Sequence, residues 1–486
     1  MEDQPWRDRL PSAIRRIGPW RLALALVIVW WVWNFTHTML RTHHGLGTGN
    51  YDLGLHEQGV WLLSRLEAPF VTLMGRNLFG DHASFVLLLL APVFRLFPAT
   101  GTLFFVHVLA LAAGSIPVWL LARRLLQSEA AATVLAVGYL AGPAPGGISL
   151  EHFHPDAFLP FLVGMAIWFA HESRWAPYWV FVALALLVKE DVALVMIPVG
   201  VWVAWRRNRR VGLATVGASV AASAAGILVI YALTGVAFPN SWRLPFGGFA
   251  GLLAATLTRP WEVVAHAFEG RRLDYLWQLT ASFGGIFLRA PEIALTSSLV
   301  LASNLLSTFP YQHDIEFHYT AAALPGLAMG TVYAVGRFRA AIRPFVLGFV
   351  LSAAMVSGYL WGDFAFSRAP ELNWYPDHPN AVAARELIPL VPGDSSVAAH
   401  WSITPHLARR REVYMFPTPF SALLYGPPGM ASQRALEGMR LPQADTVEYV
   451  FISIEMDEEQ AAVWAQERDA FELVAGSGPW ELWRRR

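Results

Sequence analysis

Residues 50–82, NYDLGLHEQGVWLLSRLEAPFVTLMGRNLFGDH, carry Asp52, His56, Glu57, Asp81 and His82 soon after an apolar run. Acids and imidazoles packed this densely beside a bilayer are costly unless water or a ligand satisfies them. A positioned carboxylate can take a proton from a nucleophile. Cations and imidazoles can hold an anion such as a phosphate. Three later stretches have the same make-up. EHFHPD at 151–156 brings His152, His154 and Asp156, and VKEDV brings Lys189, Glu190 and Asp191. YQHDIEFHY at 311–319 brings His313, Asp314, Glu316 and His318. Lys189 stands apart, because it is the single lysine among 36 basic residues. A compact ammonium and a planar guanidinium are not interchangeable at a tight ionic site. Each group also has a plainer reading. An acid in an external loop is more often solvated than catalytic, Lys189 at a segment end fits a snorkelling anchor, and His318 with Tyr319 fits an ordinary interfacial pair.

The chain that must position these groups has 486 residues, 55% of them hydrophobic and 15% charged. A soluble domain carries about 25% charge. Many apolar runs approach the roughly 20 residues that span a bilayer, so the chain reads as a polytopic membrane protein. Several of the 21 Trp fall at segment ends, as in WWVW at 30–33, where interfacial Trp is expected. Zero net charge argues against a nucleic-acid footprint. The absence of cysteine excludes a disulfide framework and a thiolate metal site.

Arginines beside apolar runs set the expected topology. Arg7, Arg9, Arg15, Arg16 and Arg21 put the N-terminus in the cytoplasm, before a span at about 19–38 that lacks a cleavage site. Loop 39–101 is then external. Inside it, 83–97 is short and contains Pro92 and Arg95, which marks an interfacial or re-entrant helix. Further spans are expected at about 102–122, 130–149, 157–171, 176–189, 192–205, 211–233, 274–289, 291–309, 319–336 and 344–361. RRNRR at 206–210 marks the cytoplasmic side most strongly, and Arg271 with Arg272 breaks the rule. The total is about 11 transmembrane helices in residues 1–362. Residues 363–486 alternate short β-like runs (395–399, 447–454) with helix-like stretches (381–388, 457–471), which predicts a small external α/β domain.

This topology puts all four polar stretches on the external face. Their acids and histidines, Asp156 and Glu190 among them, have the donor types for Mg²⁺ or Mn²⁺. Neither an HExxH zinc motif nor a GxxxxGK[ST] phosphate loop is present.

The motifs YDLGLHEQGVWLL, GDHASFVLLLLAPVFRLFP, IPVWLLARRLL, FHPD, LLVKEDVAL, HYTAAALPGL and SSVAAHWSITPHLARRREVYMFP resemble, in this order and over nearly the whole chain, a family of prokaryotic membrane proteins of unknown function. That family in turn resembles the GT-C glycosyltransferases of the protein mannosyltransferase and aminoarabinose transferase type. The resemblance implies an acid in the first external loop preceded by Tyr, matched by Tyr51-Asp52, and a histidine leading into an interfacial helix, matched by His82. The group's second acid and its His-Pro-Pro depart here to Asp52-Leu53 and His82-Ala83, which leaves Glu57 or Asp81 for the second role.

The implied activity moves a sugar from a polyprenyl-phosphate donor to an acceptor at the extracytoplasmic face of the plasma membrane, with inversion. Asp52 is the expected general base, and Lys189 the expected phosphate contact. His82, His152, His154 and His318 are expected to assist phosphate or metal binding, and helices 53–64 and 83–97 to line a lipid groove. Two other classes stay open: a transporter or flippase of a charged solute or lipid-linked sugar, and a non-catalytic envelope assembly factor.

Overall fold

In the computed structural model of the chain, residues 18–368, 374–427 and 430–486 are described. Arg7, Arg9, Arg15 and Arg16, on which the cytoplasmic N-terminus rests, lie outside them. The fold is mostly helical, at 66%. Helix forms at each segment expected to span. Four helices are long and apolar enough to cross a bilayer alone: Pro19–His44, Thr100–Leu126, Arg209–Thr234 and Ala340–Trp361. Glu129–Ala141 and Pro143–Leu150 form a bent pair, turned by 47°. Gly142 is extended there and Pro143 opens the second half. A proline has no N–H to continue the preceding helix, but suits a first helical position. Other apolar segments, such as Pro155–His171, Trp175–Leu186 and Pro291–Leu306, are shorter. Small residues let neighbours approach closely. A Cβ on Gly212 would stand 2.1 Å from the Ala204 backbone nitrogen, so the pair Ala193–Arg206 and Arg209–Thr234 packs backbone to backbone.

The first loop holds Leu55–Ser64, a short hairpin of β1 (Phe70–Val71) and β2 (Arg76–Asn77), and Val86–Leu96. The two helices differ in what covers them. Val86–Leu96 leaves Leu88, Leu89, Val93 and Leu96 exposed, an apolar face suited to an interfacial helix. Leu55–Ser64, expected from the sequence to line a lipid groove, instead buries Leu55, Val60, Leu62 and Leu63. It packs against Val86–Leu96 on one side and meets the C-terminal region on another. Residues 234–273 contain the helices Phe249–Thr258 and Pro260–Ala267.

The C-terminal region forms one five-stranded sheet from β3 (Val397–Ala399), β4 (Val413–Met415), β5 (Tyr449–Ser453), β6 (Phe471–Ser477) and β7 (Trp480–Arg485), in the order β4-β3-β5-β7-β6. β3 runs parallel to both β4 and β5, and the remaining pairs are antiparallel. Helices Pro379–Leu387 and Glu458–Glu467 accompany it. Polar bonds fasten this sheet to the first loop. Gln58 Nε2 donates to the Arg411 carbonyl at 3.1 Å and to Thr72 Oγ1 at 2.9 Å. Its Oε1 accepts the Thr72 N–H at 3.0 Å. Thr72 Oγ1 donates to the Val413 carbonyl at the start of β4, at 2.5 Å. Arg76 donates to Gln433 Oε1 at 2.9 Å, and the His43 and His406 rings stack at 3.8 Å.

Gln58 is fully buried, so removing its amide strands the Thr72 N–H and the Arg411 carbonyl. A buried group left unpaired costs about 1–3 kcal/mol. Gln58→Leu is therefore expected to lower the thermal midpoint of the purified protein and to increase protease cleavage of the C-terminal region. An unchanged midpoint and cleavage pattern would show that the fastening contributes nothing.

Candidate active site

Asn50–Gly54 forms a wide π-helical turn ahead of Leu55–Ser64. π-turns recur where a helix must re-aim a side chain. Here the turn projects Asp52, whose side chain keeps 50% of its exposure. His152 Nδ1 stands 3.5 Å from one Asp52 carboxylate oxygen and His154 Nε2 stands 3.6 Å from the other. Both distances are long for a hydrogen bond, so the contact is chiefly between charges. His56, one turn on from Asp52, donates from Nδ1 to the Asp52 carbonyl at 2.7 Å. That bond fixes its tautomer, and burial pushes its pKa down to about 4.

The EHFHPD segment joins helix Pro143–Leu150 to the turn at Pro155. Its Glu151, not among the residues the sequence singles out, faces inward. Glu151 Oε1 stands 2.7 Å from His318 Nδ1, and the other oxygen accepts the His318 N–H. The His318 ring stacks on His154 at 3.8 Å. His154 donates from Nδ1 to the His152 carbonyl at 2.9 Å and stands 3.8 Å from Glu151. Gly147 allows this approach, because a Cβ there would meet the Glu316 backbone at 2.9 Å.

The electrostatics follow. Burial opposes charge on Asp52, but the contacts and charge of His152 and His154 outweigh it and hold the carboxyl well below the usual carboxylate range. Burial also opposes the His154 imidazolium, yet Glu151, Asp52 and Asp156 push that ring up to about 9. Burial and the neighbouring His154 push His318 down. At neutral pH the pair is thus a carboxylate beside an imidazolium.

A second group adjoins the first through Tyr319, whose ring packs 3.9 Å from that of His318. Lys189 Nζ, 4% exposed, sits 3.2 Å from Asp156 and 3.3 Å from Asp191, and 5.7 Å over the Tyr319 ring. On the same ring, Arg243 Nη1 donates to the Tyr319 hydroxyl at 3.0 Å. Arg243 Nε is buried without a partner among the described residues. Glu190 accepts from His82 Nδ1 at 2.7 Å and from the Ala83 N–H at 3.0 Å. Burial opposes the His82 imidazolium, and Glu190 more than offsets it, which raises His82. Gly226 of Arg209–Thr234 makes room for the Glu190 turn; a Cβ there would stand 2.8 Å from that of Glu190.

Asp52, His152, His154 and His318 therefore come together, and His82, Lys189, Asp156 and Glu190 form the adjoining group. The two candidates for a second acid do not join Asp52. Glu57 points to the opposite side of its helix, is fully buried, accepts from Thr100 at 2.9 Å and lies 3.4 Å from Arg409. Burial pushes it up to about 7, against the pull of Arg409. Asp81 is paired with Arg76; burial opposes its charge, but Arg76 and His82 bring it down to about 2. Tyr51 turns toward the C-terminal region, its ring 4.8 Å from that of Tyr425.

Asp156 is engaged by Lys189 and Glu190 by His82. Among the described residues, the set able to hold an ion is Glu151, His154 and His318, with ligand atoms within 4.8 Å of one another. Two imidazoles and a carboxylate suit Zn²⁺ or Mn²⁺ better than oxygen-seeking Mg²⁺.

The His154 shift carries a pH prediction. An imidazole raised above its ordinary 6.5 contributes stability that is complete below about 6.5 and lost as the pH rises through about 9. Wild-type protein is expected to lose thermal midpoint across that window, and His154→Gln to lose less. Parallel curves for the two proteins would contradict the assignment.

A family model described as "Predicted membrane protein (DUF2079)" matches residues 42–485. No curated protein matches the chain. Among solved structures, ArnT from Cupriavidus metallidurans bound to undecaprenyl phosphate aligns with a TM-score of 0.56 and 12% identity, covering 94% of this chain and 97% of that one. The same ArnT in the apo state aligns with a TM-score of 0.56 and 12% identity, over 95% and 96%. The Archaeoglobus fulgidus oligosaccharyltransferase in complex with zinc and sulfate aligns with a TM-score of 0.41 and 15% identity, over 92% of this chain and 71% of that one. ArnT is a GT-C glycosyltransferase, and its fold is shared over nearly the full length of both chains.

Proposed function

We propose that this chain, which belongs to the DUF2079 family of membrane proteins, transfers a sugar from a polyprenyl-phosphate donor to a hydroxyl acceptor at the extracytoplasmic face of the plasma membrane. The observation that carries the reading is a half-open carboxylate, Asp52, bracketed by His152 and His154. The ArnT likeness supports it, since one of those structures holds undecaprenyl phosphate. About 11 crossings, a cytoplasmic N-terminus and an extracytoplasmic C-terminal sheet belong to the same proposal.

In this mechanism the acceptor O–H approaches the anomeric carbon on the Asp52 side. As the new C–O bond forms, the proton passes to Asp52. The bond from the anomeric carbon to the phosphate oxygen breaks, its electron pair stays on the polyprenyl phosphate, and the anomeric centre inverts. A carboxylate held this low is a weak base toward a free alcohol, so proton transfer falls late, once attack has acidified the hydroxyl. The departing phosphate gains charge, and fixed cations stabilise it most where water is excluded. Arg243, with its free Nε, is the best-placed cation for that role, beside His82 and His154. Lys189, shared by two carboxylates, acts on the phosphate through the position of Tyr319 and Asp156. The exposed face of Val86–Leu96 lines the path of the lipid.

The test is release or transfer of labelled sugar from a polyprenyl-phosphate sugar by the purified protein in liposomes. Time-dependent loss of the donor is expected. A donor that survives intact, across glucosyl, mannosyl, galactosyl and aminoarabinosyl forms, would overturn the reading.

A further inference from the structure

A cavity of about 320 Å³ lies between the first loop and the C-terminal sheet. Asn50 and Tyr51, the two residues before Asp52, form one wall. His400 and Trp401 follow β3, Ser453 ends β5, and Gln460 comes from the helix after β5. The cavity thus opens at the carboxyl ends of the parallel strands, where β3 has β4 on one side and β5 on the other. In open α/β sheets that reversal point is where the connections part and leave a crevice for ligands.

The lining has a definite chemistry. No Asp, Glu, Lys or Arg contributes to it. His400, the one titratable ring besides Tyr51, is pushed down to about 4 by burial and so adds no charge. Trp401 is 40% exposed, although it follows a fully buried strand. Asn50 is buried and, with Tyr51, closes the cavity on the side of the first loop. Ligand pockets run from roughly 300 to 1,000 Å³, so this one fits a single ring rather than a lipid chain.

We infer that this cavity is the acceptor subsite and that it takes a neutral, polyhydroxylated ring, a sugar unit stacked on Trp401 and hydrogen-bonded by Ser453 and Gln460. The inference rests on the transferase reading above. An acceptor seated there presents a hydroxyl past Tyr51 toward Asp52, the next residue in the chain, which receives its proton as the new glycosidic bond forms and the polyprenyl phosphate leaves. A charged acceptor is disfavoured, because nothing in the lining compensates a buried charge.

The experiment uses the full-length protein in detergent and equilibrium dialysis with labelled methyl glucoside, methyl mannoside, methyl galactoside and methyl glucuronide. Saturable binding of at least one neutral glycoside is expected, at least tenfold weaker for the glucuronide and for Trp401→Ala. A second variant, Met456→Trp, fills the cavity from the opposite wall and is expected to abolish binding. Hydrolysis of the polyprenyl-phosphate sugar, which needs only water as acceptor, should persist in Met456→Trp. Donor hydrolysis without saturable binding of any neutral glycoside, or equal binding by Met456→Trp, overturns the subsite and leaves the transferase reading standing. Glycoside binding by a protein that never consumes donor overturns the transferase reading instead.

Discussion

Asp52→Asn is expected to slow sugar transfer by about 10²–10⁴-fold, the usual range for removing a positioned general base. The change keeps the shape of the side chain and removes only its charge. Because Asp52 is half exposed and its two histidine contacts are 3.5 and 3.6 Å, and Glu151 and Asp156 remain to hold the buried His154 imidazolium, the thermal midpoint should fall only slightly. The loss should appear in kcat, with donor KM little changed, since the carboxylate meets the acceptor proton and not the lipid. The low pKa adds a second readout: the acid limb set by Asp52 should fall below the ordinary carboxylate value of about 4. Wild-type turnover in a folded Asp52→Asn protein would remove the base from the mechanism.

Lys189→Met is expected to destabilise by about 3–5 kcal/mol, the cost of breaking a buried ion pair by removing one partner. Asp156 is buried and would lose the ammonium that pairs with it. The measurement is the fraction of protein that stays folded and monodisperse in detergent on heating, compared with Lys189→Met/Asp156→Asn. The double variant should recover most of the loss, because it removes the stranded carboxylate as well. Lys189→Arg should recover little. A planar guanidinium presents its donors in a fixed fork and cannot meet both carboxylates as the compact ammonium does. Full recovery by arginine would mean that the lone lysine is incidental.

The helices were legible because apolar runs of near-bilayer length leave few alternatives, and the bend at Gly142–Pro143 follows from one missing N–H. The chemistry was legible in outline, since acids and histidines beside a membrane need a partner. Which of them meet was not. Asp52 and His56 share a helical face and Glu57 does not, but the π-turn and the cover supplied by Arg409 decide that, and neither leaves a local signal. Arg243 was hidden by its commonness in an arginine-rich chain. Glu151 stood beside two histidines and was passed over, because a surface turn before Pro155 hides whether an acid faces in or out. β4 was too short to read, and its bond to Thr72 joins residues 341 positions apart.

That last pairing has a consequence for biosynthesis. The first loop leaves the ribosome early, but Gln58, Thr72 and Arg76 find their distant partners in residues 410–433. Until the end of the chain is made, Asp52 stands in a loop that lacks one wall. If the chain is the proposed transferase, a nascent or prematurely ended chain is expected to be inert toward lipid-linked sugar, and completion of the polypeptide would itself switch the site on.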